Sequence, residues 1–163
     1  MKARLLLIHI LLLITACGFH LRGSQTTKIN VDNIFINDNS ALAEEVKSQF
    51  KNAGASFAAS PQSASYIITL KESHFEKSVL SVSPATGKVE EYQMLFQAKV
   101  DAMRADGTYI IENENINVVR DFAFDENAVL GEFSEESINQ EDLIRRAASQ
   151  VLRRLQAILS SSK

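Results

Sequence analysis

The most reactive side chain in this 163-residue chain is the thiol of Cys17, which is its only cysteine. A thiolate can attack an electrophile or bind a metal, but a disulfide needs a second cysteine, which the chain lacks. Cys17 follows an apolar run, residues 5–14, and the small pair Thr15-Ala16. This position favours a thiol that is modified during export over a catalytic one.

Residues 1–16 are typical of an export signal. Lys2 and Arg4 form the basic start, residues 5–14 form the apolar stretch, and the small residues before Cys17 form the cleavage site. The stretch is too short for a permanent membrane-spanning helix, which needs about 20 apolar residues. A simple secretory signal with an incidental cysteine is the alternative, although a secreted protein with one free thiol is unusual.

Residues 14–17 (ITAC) resemble the lipobox of bacterial lipoproteins. The resemblance implies that Cys17 receives a diacylglyceryl group and becomes the acylated first residue of the mature protein. Each buried CH₂ contributes about 0.8 kcal/mol, so several acyl chains can hold a protein on a membrane. Gly18 follows, instead of the aspartate that resembles an inner-membrane retention signal, so we expect the periplasmic leaflet of the outer membrane.

The other residues that could perform catalysis form no recognised motif. The chain lacks the HExxH, GxSxG, P-loop and GxGxxG patterns. We expect His74, which stands alone in a predicted strand, to be structural or solvated. The acidic groups at Glu90-Glu91 and within residues 132–136 could be paired carboxylates, but we expect solvated loop charges. We therefore expect no enzymatic activity, no metal and no cofactor.

Charge and length narrow the possible functions further. Loss of Lys2 and Arg4 with the leader leaves 15 basic residues against 20 acidic ones, so the formal charge falls from −3 to −5. Nucleic-acid binding is not expected, because it needs a basic surface to displace counterions from phosphates. The remaining chain has the length of one domain. We expect a lipidated tether over residues 17–27 and a single periplasmic domain over residues 28–163.

The spacing of apolar residues predicts six elements in the order β-α-β-β-β-α. The predicted strands are residues 28–37, 66–82, 92–102 and 109–124, and the predicted helices are residues 41–53 and 140–159. The first strand changes phase between Val31 and Ile34, which indicates a bulge or a bend. Residues 137–140 (SINQ) have the spacing of a capping box and predict the start of the second helix.

Residues 92–102 show the clearest two-residue alternation, in which apolar residues alternate with polar ones such as Lys99 and Asp101. This pattern is typical of a strand with one face in the core and one in water. Asp106-Gly107 favours a hairpin that returns the next strand antiparallel. Both helices must bury their apolar stripes on the same face, so the predicted fold class is an α/β (α+β type) two-layer sandwich with a four-stranded mixed sheet.

Three stretches resemble the lipopolysaccharide (LPS)-assembly lipoprotein family of the LptE/RlpB type. They are residues 17–23 (CGFHLRG), residues 91–94 (EYQM), and residues 145–148 (RRAA) with residues 152–155 (LRRL). The resemblance implies a small non-enzymatic plug inside an outer-membrane β-barrel that delivers LPS to the outer leaflet. It also implies that the lipoprotein assists folding of this barrel partner and is similar to an LPS-binding module. A polar sheet face suits a polar barrel interior.

Some family members carry basic residues before the EYQM strand and before the last helix, where they would meet lipid A phosphates. Here the turn offers only Lys88, and residues 125–136 are acidic. Lys88 and Lys99 are the candidates for LPS contact, and Phe19 and Leu21 are the candidates for packing against the barrel. Solvated lysines and a disordered linker are the alternatives. The arginines that could meet acidic groups of the barrel wall are Arg104, Arg120, Arg145, Arg146, Arg153 and Arg154.

Two other functions remain open at this point. The first is a free-standing periplasmic lipoprotein that binds a small ligand or peptide without a barrel partner. The second is a lipid-anchored hydrolase, which would need His74 close to a serine and a carboxylate. Recovery of a stable complex with a barrel from mild detergent distinguishes the plug from the free-standing lipoprotein. The distances between His74, the serines and the carboxylates in the fold test the hydrolase.

Overall fold

The computed structural model describes Ile29, residues 31–124 and residues 129–161. Within these residues the elements are β1 (Ile34–Ile36), α1 (Ala41–Asn52), β2 (Tyr66–Val82), β3 (Val89–Arg104), β4 (Tyr109–Ala123) and α2 (Val129–Ser161), with a 3₁₀ turn at Pro61–Ser63. The sheet order of these strands is β1-β2-β3-β4, with β1 parallel to β2 and the other pairs antiparallel. The predicted element order and fold class are confirmed.

Helix α1 begins and ends where its sequence predicts. The Ser40 hydroxyl accepts a hydrogen bond from the Ala43 N–H at 3.2 Å and so satisfies one of the free amides of the first turn. Leu42, Val46 and Phe50 recur at helical spacing and are buried. The helix stops before Gly54, whose φ of +94° is a conformation that favours glycine.

The alternation in β3 decides where the core lies. Its even-numbered residues from Met94 to Ala102 are buried on the face covered by the helices. Among the described residues, the buried apolar side chains of both layers form a core cluster. Its largest fully buried members are Ile34, Leu42, Phe50, Ile68, Met94, Ile116, Leu143 and Leu155.

The first strand is shorter than predicted. Only Ile34–Ile36 pair with β2, whereas the prediction began at residue 28. Asn33 has a φ of +58°, and this left-handed residue separates Val31 from the strand. Ile29 instead donates its N–H to the Ala53 carbonyl at the end of α1. The apolar residues before Asn33 are buried, but they extend the core without extending the sheet.

Helix α2 begins at Val129, so the predicted start at residue 140 is wrong. The SINQ sequence, residues 137–140, lies inside the helix, where Asn139 is buried. A capping box is a local signal. Here the preceding residues 132–136 include three glutamates, which favour a helix, and no proline stops the helix before residue 137. The acidic residues predicted to lie in a loop therefore belong partly to α2, and Glu136 pairs with Lys77 of β2 at 3.1 Å.

Asp101 is buried, although the alternation of β3 predicts that it faces water. Register shifts in β2 and β4 flank this part of β3, and their residues Glu72 and Asn113 have φ angles of +52° and +49°. The Asp101 carboxylate forms an ion pair with Lys71 and accepts a hydrogen bond from the Asn113 N–H at 2.8 Å. The Asp101 carboxylate of β3 therefore contacts both neighbouring strands, β2 and β4, at their bulges.

Acid is expected to weaken the fold partly through Asp101. Burial raises the pKa of Asp101, but the Lys71 ammonium and the Asn113 N–H outweigh burial and hold that pKa below its usual value. The ionised carboxylate therefore contributes stability above the unfolded pKa of about 3.9, and this stability is lost as pH falls through the lower folded pKa. Asp101→Asn is expected to cost about 1–3 kcal/mol at pH 7 and to flatten this part of the acid profile.

Urea unfolding at several pH values between 7 and 2 measures this effect. Asp121→Asn is the matched control, because Asp121 is an exposed carboxylate on β4, and it should change the free energy of unfolding by less than about 0.5 kcal/mol. Parallel pH profiles for the parent and Asp101→Asn would show that the carboxylate does not stabilise the bulges.

Candidate interaction surface

Of the residues predicted to make contacts, the structure describes Lys88 and Lys99. Cys17, Phe19 and Leu21 lie outside the described residues. Lys88 is exposed at the turn between β2 and β3, and Lys99 lies far along β3. Eleven residues of extended chain separate the two lysines by about 35 Å. The structure therefore does not bring Lys88 and Lys99 into a common site.

Lys99 is already engaged on the outer face of the sheet, which is the face away from the helices. Its ammonium pairs with Glu72 at 2.6 Å, and this interaction lowers the pKa of the Glu72 carboxyl below its usual value. Other polar groups of this face also pair across strands, such as Gln93 with Asp121 at 3.0 Å. An anion would therefore have to displace Glu72 to reach the Lys99 ammonium.

His74 lies beside the bulge of β2 and is exposed. Its Nδ1 lies 3.0 Å from the Glu72 carbonyl oxygen, a local contact across the bulge. Among the described residues, no hydrogen bond joins the His74 ring to a serine hydroxyl or a carboxylate, as the hydrolase hypothesis requires. In the part of the chain that the structure describes, no three His, Cys, Asp or Glu side chains are placed to hold a metal ion.

The turn between β2 and β3 is well ordered by its own hydrogen bonds. The Ser83 N–H donates to the Lys88 carbonyl at 2.7 Å, and the Gly87 N–H donates to the Ser83 carbonyl at 2.8 Å. Gly87 has a φ of +70°, which the turn requires and which favours glycine. The turn and the strand ends that carry it, residues 79–89, are called the hairpin tip below.

The hairpin tip exposes apolar side chains. Val79, Leu80 and Val82 have 52%, 44% and 52% of their surface exposed, although they are close neighbours at the end of β2. The register passes from Val79 opposite Tyr92 to Ser81 opposite Glu91, so Leu80 is an extra residue in a bulge. Scattered exposed apolar residues are ordinary, but three within four positions at one end of a hairpin make the tip a candidate interaction surface.

An aromatic cluster supports the hairpin tip from the helix side. The Tyr92 ring lies 5.9 Å from the Phe122 ring and 5.5 Å from the Phe124 ring. The Lys77 ammonium lies 4.6 Å from the centre of the Tyr92 ring and also pairs with Glu136 of α2. This cluster joins β2, β3, β4 and α2 at the base of the tip. The apolar surface is therefore held on a rigid support.

Two of the arginines that the sequence left unranked have a structural role. Arg120 of β4 and Arg146 of α2 both pair with Asp142, at 2.5 and 2.8 Å. Burial raises the pKa of Asp142, but the two guanidiniums hold that pKa below its usual value. This triad fastens α2 to the edge of the sheet, so Arg120 and Arg146 are poor candidates for meeting a partner.

An α+β sandwich with a polar sheet face and an exposed apolar hairpin tip has the surfaces that a small binding or assembly protein needs. The chain belongs to LptE, a lipopolysaccharide-assembly family, whose model matches residues 28–155. This match confirms the resemblance seen in the sequence and supports a role in LPS assembly. The family is one of assembly lipoproteins associated with the outer membrane.

Solved structures share the fold. An uncharacterized lipoprotein B from Nitrosomonas europaea is 21% identical, with a TM-score of 0.70, and the match covers 88% of this chain and 93% of that one. The rare lipoprotein B from Shewanella oneidensis is 19% identical, with a TM-score of 0.67 and coverage of 81% and 98%. A minor lipoprotein from Acinetobacter baumannii is 19% identical, with a TM-score of 0.61 and coverage of 78% and 90%. No curated protein sequence matches the chain.

Proposed function

We propose that this protein is a lipid-anchored outer-membrane lipoprotein that plugs an LPS-translocating β-barrel, assists its assembly and helps to deliver LPS to the outer leaflet without catalysis. In this proposal residues 1–16 are removed, Cys17 carries the lipid, residues 17–27 form the tether and residues 28–163 form the periplasmic domain. Family membership and the lipobox-like residues 14–17 support it.

The outer sheet face supports the plug. Its charged and amide side chains pair with one another, including Lys71 with Asp101, Lys99 with Glu72, and Gln97 with Asn117. These pairs satisfy several polar groups of a face that also tolerates water, and the polar interior of a large barrel offers such surroundings. A barrel lumen can therefore receive these paired charges without separating them.

The exposed apolar residues of the hairpin tip are the observation that supports direct contact with LPS. LPS combines acyl chains with phosphate groups, so its receptor needs apolar surface next to a cation. Val79, Leu80 and Val82 supply exposed apolar surface, and Lys88 lies at the same turn. Because the tip is supported by the aromatic cluster, it can offer this surface without first becoming ordered. We place acyl-chain contact at the tip and phosphate contact at Lys88.

One observation favours a second candidate, a free-standing ligand-binding lipoprotein. An open groove of about 540 Å³ lies between β1, α1 and residues 57–58. Phe35 and Phe57 give it an apolar lining. Lys51 also lines it, and the Lys47 ammonium in the same lining pairs with Glu44 at 2.8 Å. Its volume is in the range of small-molecule sites, and its composition fits an apolar carboxylate.

Affinity purification of the tagged, lipidated chain in mild detergent separates the two candidates. The plug predicts recovery of a large outer-membrane barrel in a one-to-one ratio, identified by mass spectrometry. Recovery of the lipoprotein alone contradicts the plug and favours the ligand-binding protein. The Phe19→Ser/Leu21→Ser variant is expected to recover less barrel than the parent, because we place these residues against the barrel near the bilayer. Equal recovery of the barrel with the variant and with the parent would show that Phe19 and Leu21 do not contribute to the interface.

A further inference from the structure

A polar groove runs between the free edge of β4 and the C-terminal half of α2. It consists of two adjoining cavities of about 500 and 430 Å³, which share Asn117, Gln150 and Arg153 in their linings. Its other lining residues include Asn115 and Arg154. These five residues define what is called the α2 groove below.

Side chains of α2 cover the backbone of β4 inside the α2 groove. Gln150 Nε2 donates to the Asn117 carbonyl at 3.3 Å, and Arg154 Nη1 donates to the Asn115 carbonyl at 2.8 Å. A free strand edge otherwise invites another strand to pair with it. Because two edge carbonyls are engaged, we expect an occupant of the groove to be recognised by side chains and not by strand addition.

Arg153 is the cation in the α2 groove that remains available. Arg154 is engaged by Glu114 at 2.5 Å as well as by the Asn115 carbonyl. Arg153 is exposed, and its guanidinium makes no ion pair or hydrogen bond with any residue that the structure describes. A guanidinium offers a planar set of donors that matches a carboxylate, so Arg153 is suited to a bidentate contact.

We infer that the α2 groove binds an acidic segment of the barrel partner, with the Arg153 guanidinium paired to a carboxylate of that segment. This inference rests on the proposed function. The Arg153 guanidinium is a local cation on a domain that is acidic overall, so a carboxylate of the partner pairs favourably at this position, and such pairing fixes the orientation of docking.

The surroundings favour a protein segment over LPS. The groove is lined mainly by amides and guanidiniums, whereas acyl chains need apolar surface. The apolar hairpin tip lies at another part of the molecule, because Asn117 is six residues along β4 from Ala123, or about 20 Å. The α2 groove and the hairpin tip are therefore separate surfaces with different ligands.

Charge reversal at Arg153 tests the inference in the full lipidated chain. Arg153→Glu is expected to lower recovery of the barrel from mild detergent by about tenfold, since a carboxylate then faces a carboxylate. Arg145→Glu is the matched control. Arg145 is also an exposed arginine of α2, and its guanidinium has no partner among the described residues, but it does not line the groove. Urea unfolding of both variants should match the parent.

The outcomes separate the inference from the proposed function. Loss of barrel with Arg153→Glu but not with Arg145→Glu supports the α2 groove. If the parent and both variants recover the same amount of barrel, the plug stands and the inference about the groove is overturned. An equal loss of barrel with both variants also overturns the inference, because it reports an effect of net charge only. Loss of bound LPS with the barrel retained assigns the groove to the glycolipid and overturns the inference. A parent that recovers no barrel overturns the proposed function together with the inference.

Discussion

The Leu80→Ser/Val82→Ser variant is expected to bind LPS at least about tenfold more weakly than the parent. Complete burial of such a side chain contributes about 1.5–3 kcal/mol, and each is 44–52% exposed. Covering both by acyl chains therefore contributes about 1.5–3 kcal/mol, which corresponds to about 10- to 100-fold in affinity. Binding of labelled LPS to the purified domain, followed by fluorescence anisotropy, measures the change.

The control for this variant carries the same number of new serines elsewhere. Val119→Ser/Ile138→Ser replaces apolar residues that are 46% and 61% exposed and lie outside the hairpin tip. It should leave LPS affinity within about twofold of the parent, and both variants should keep the free energy of unfolding within about 0.5 kcal/mol. An equal loss of affinity in both variants would show that LPS binds exposed apolar residues without preference for the tip.

Leu143→Ala is expected to lower the free energy of unfolding by about 2–5 kcal/mol. Leu143 is fully buried in the core cluster, on the face of α2 that packs into the sandwich. Truncation leaves a cavity where the sheet and both helices meet, and α2 has no disulfide to retain it. Because a domain is stabilised by only about 5–15 kcal/mol, this loss is a large part of the total.

Urea unfolding followed by circular dichroism measures the effect of Leu143→Ala. Ile138→Ala is the control on the same helix, since Ile138 is 61% exposed and should change stability by less than about 0.5 kcal/mol. A loss below about 1 kcal/mol for Leu143→Ala would mean that α2 contributes little to the core.

The sequence predicts the fold well where one pattern has one physical cause. The alternation in β3 predicts its buried face because side chains in a strand alternate between core and solvent. The stripe of α2 predicts which residues pack, as the burial of Leu143, Ala147 and Val151 confirms. Chain order and the fold class follow from these stripes.

The predictions from sequence fail where contacts between distant parts of the chain override a local sequence pattern. Asp101 fits the polar alternation of β3, but bulges in the two neighbouring strands bury it, and bulges depend on pairing that one strand's sequence does not contain. Likewise, the capping spacing at residues 137–140 is a real local preference that the longer α2 overrides. The start of a helix depends on the whole run, and not on four residues.

The exposed hairpin tip could not be predicted from the strand pattern, because its exposure depends on how far the helices reach. α1 has 12 residues and spans about 18 Å, whereas β2 has 17 residues and spans about 55 Å. The far half of the hairpin therefore lacks cover from α1. A sequence signal did exist, since Val79-Leu80-Ser81-Val82 breaks the two-residue alternation, but it does not distinguish a buried bulge from an exposed one.

In-cell photo-crosslinking from position 80 tests LPS contact at the hairpin tip most directly. A photoreactive residue replaces Leu80 in the full lipidated chain, and a second chain carries it at Val119, which is similarly exposed on β4. An LPS adduct from position 80, with little or none from position 119, is the expected result. No LPS adduct from position 80, or equal adducts from both positions, would contradict LPS contact at the tip.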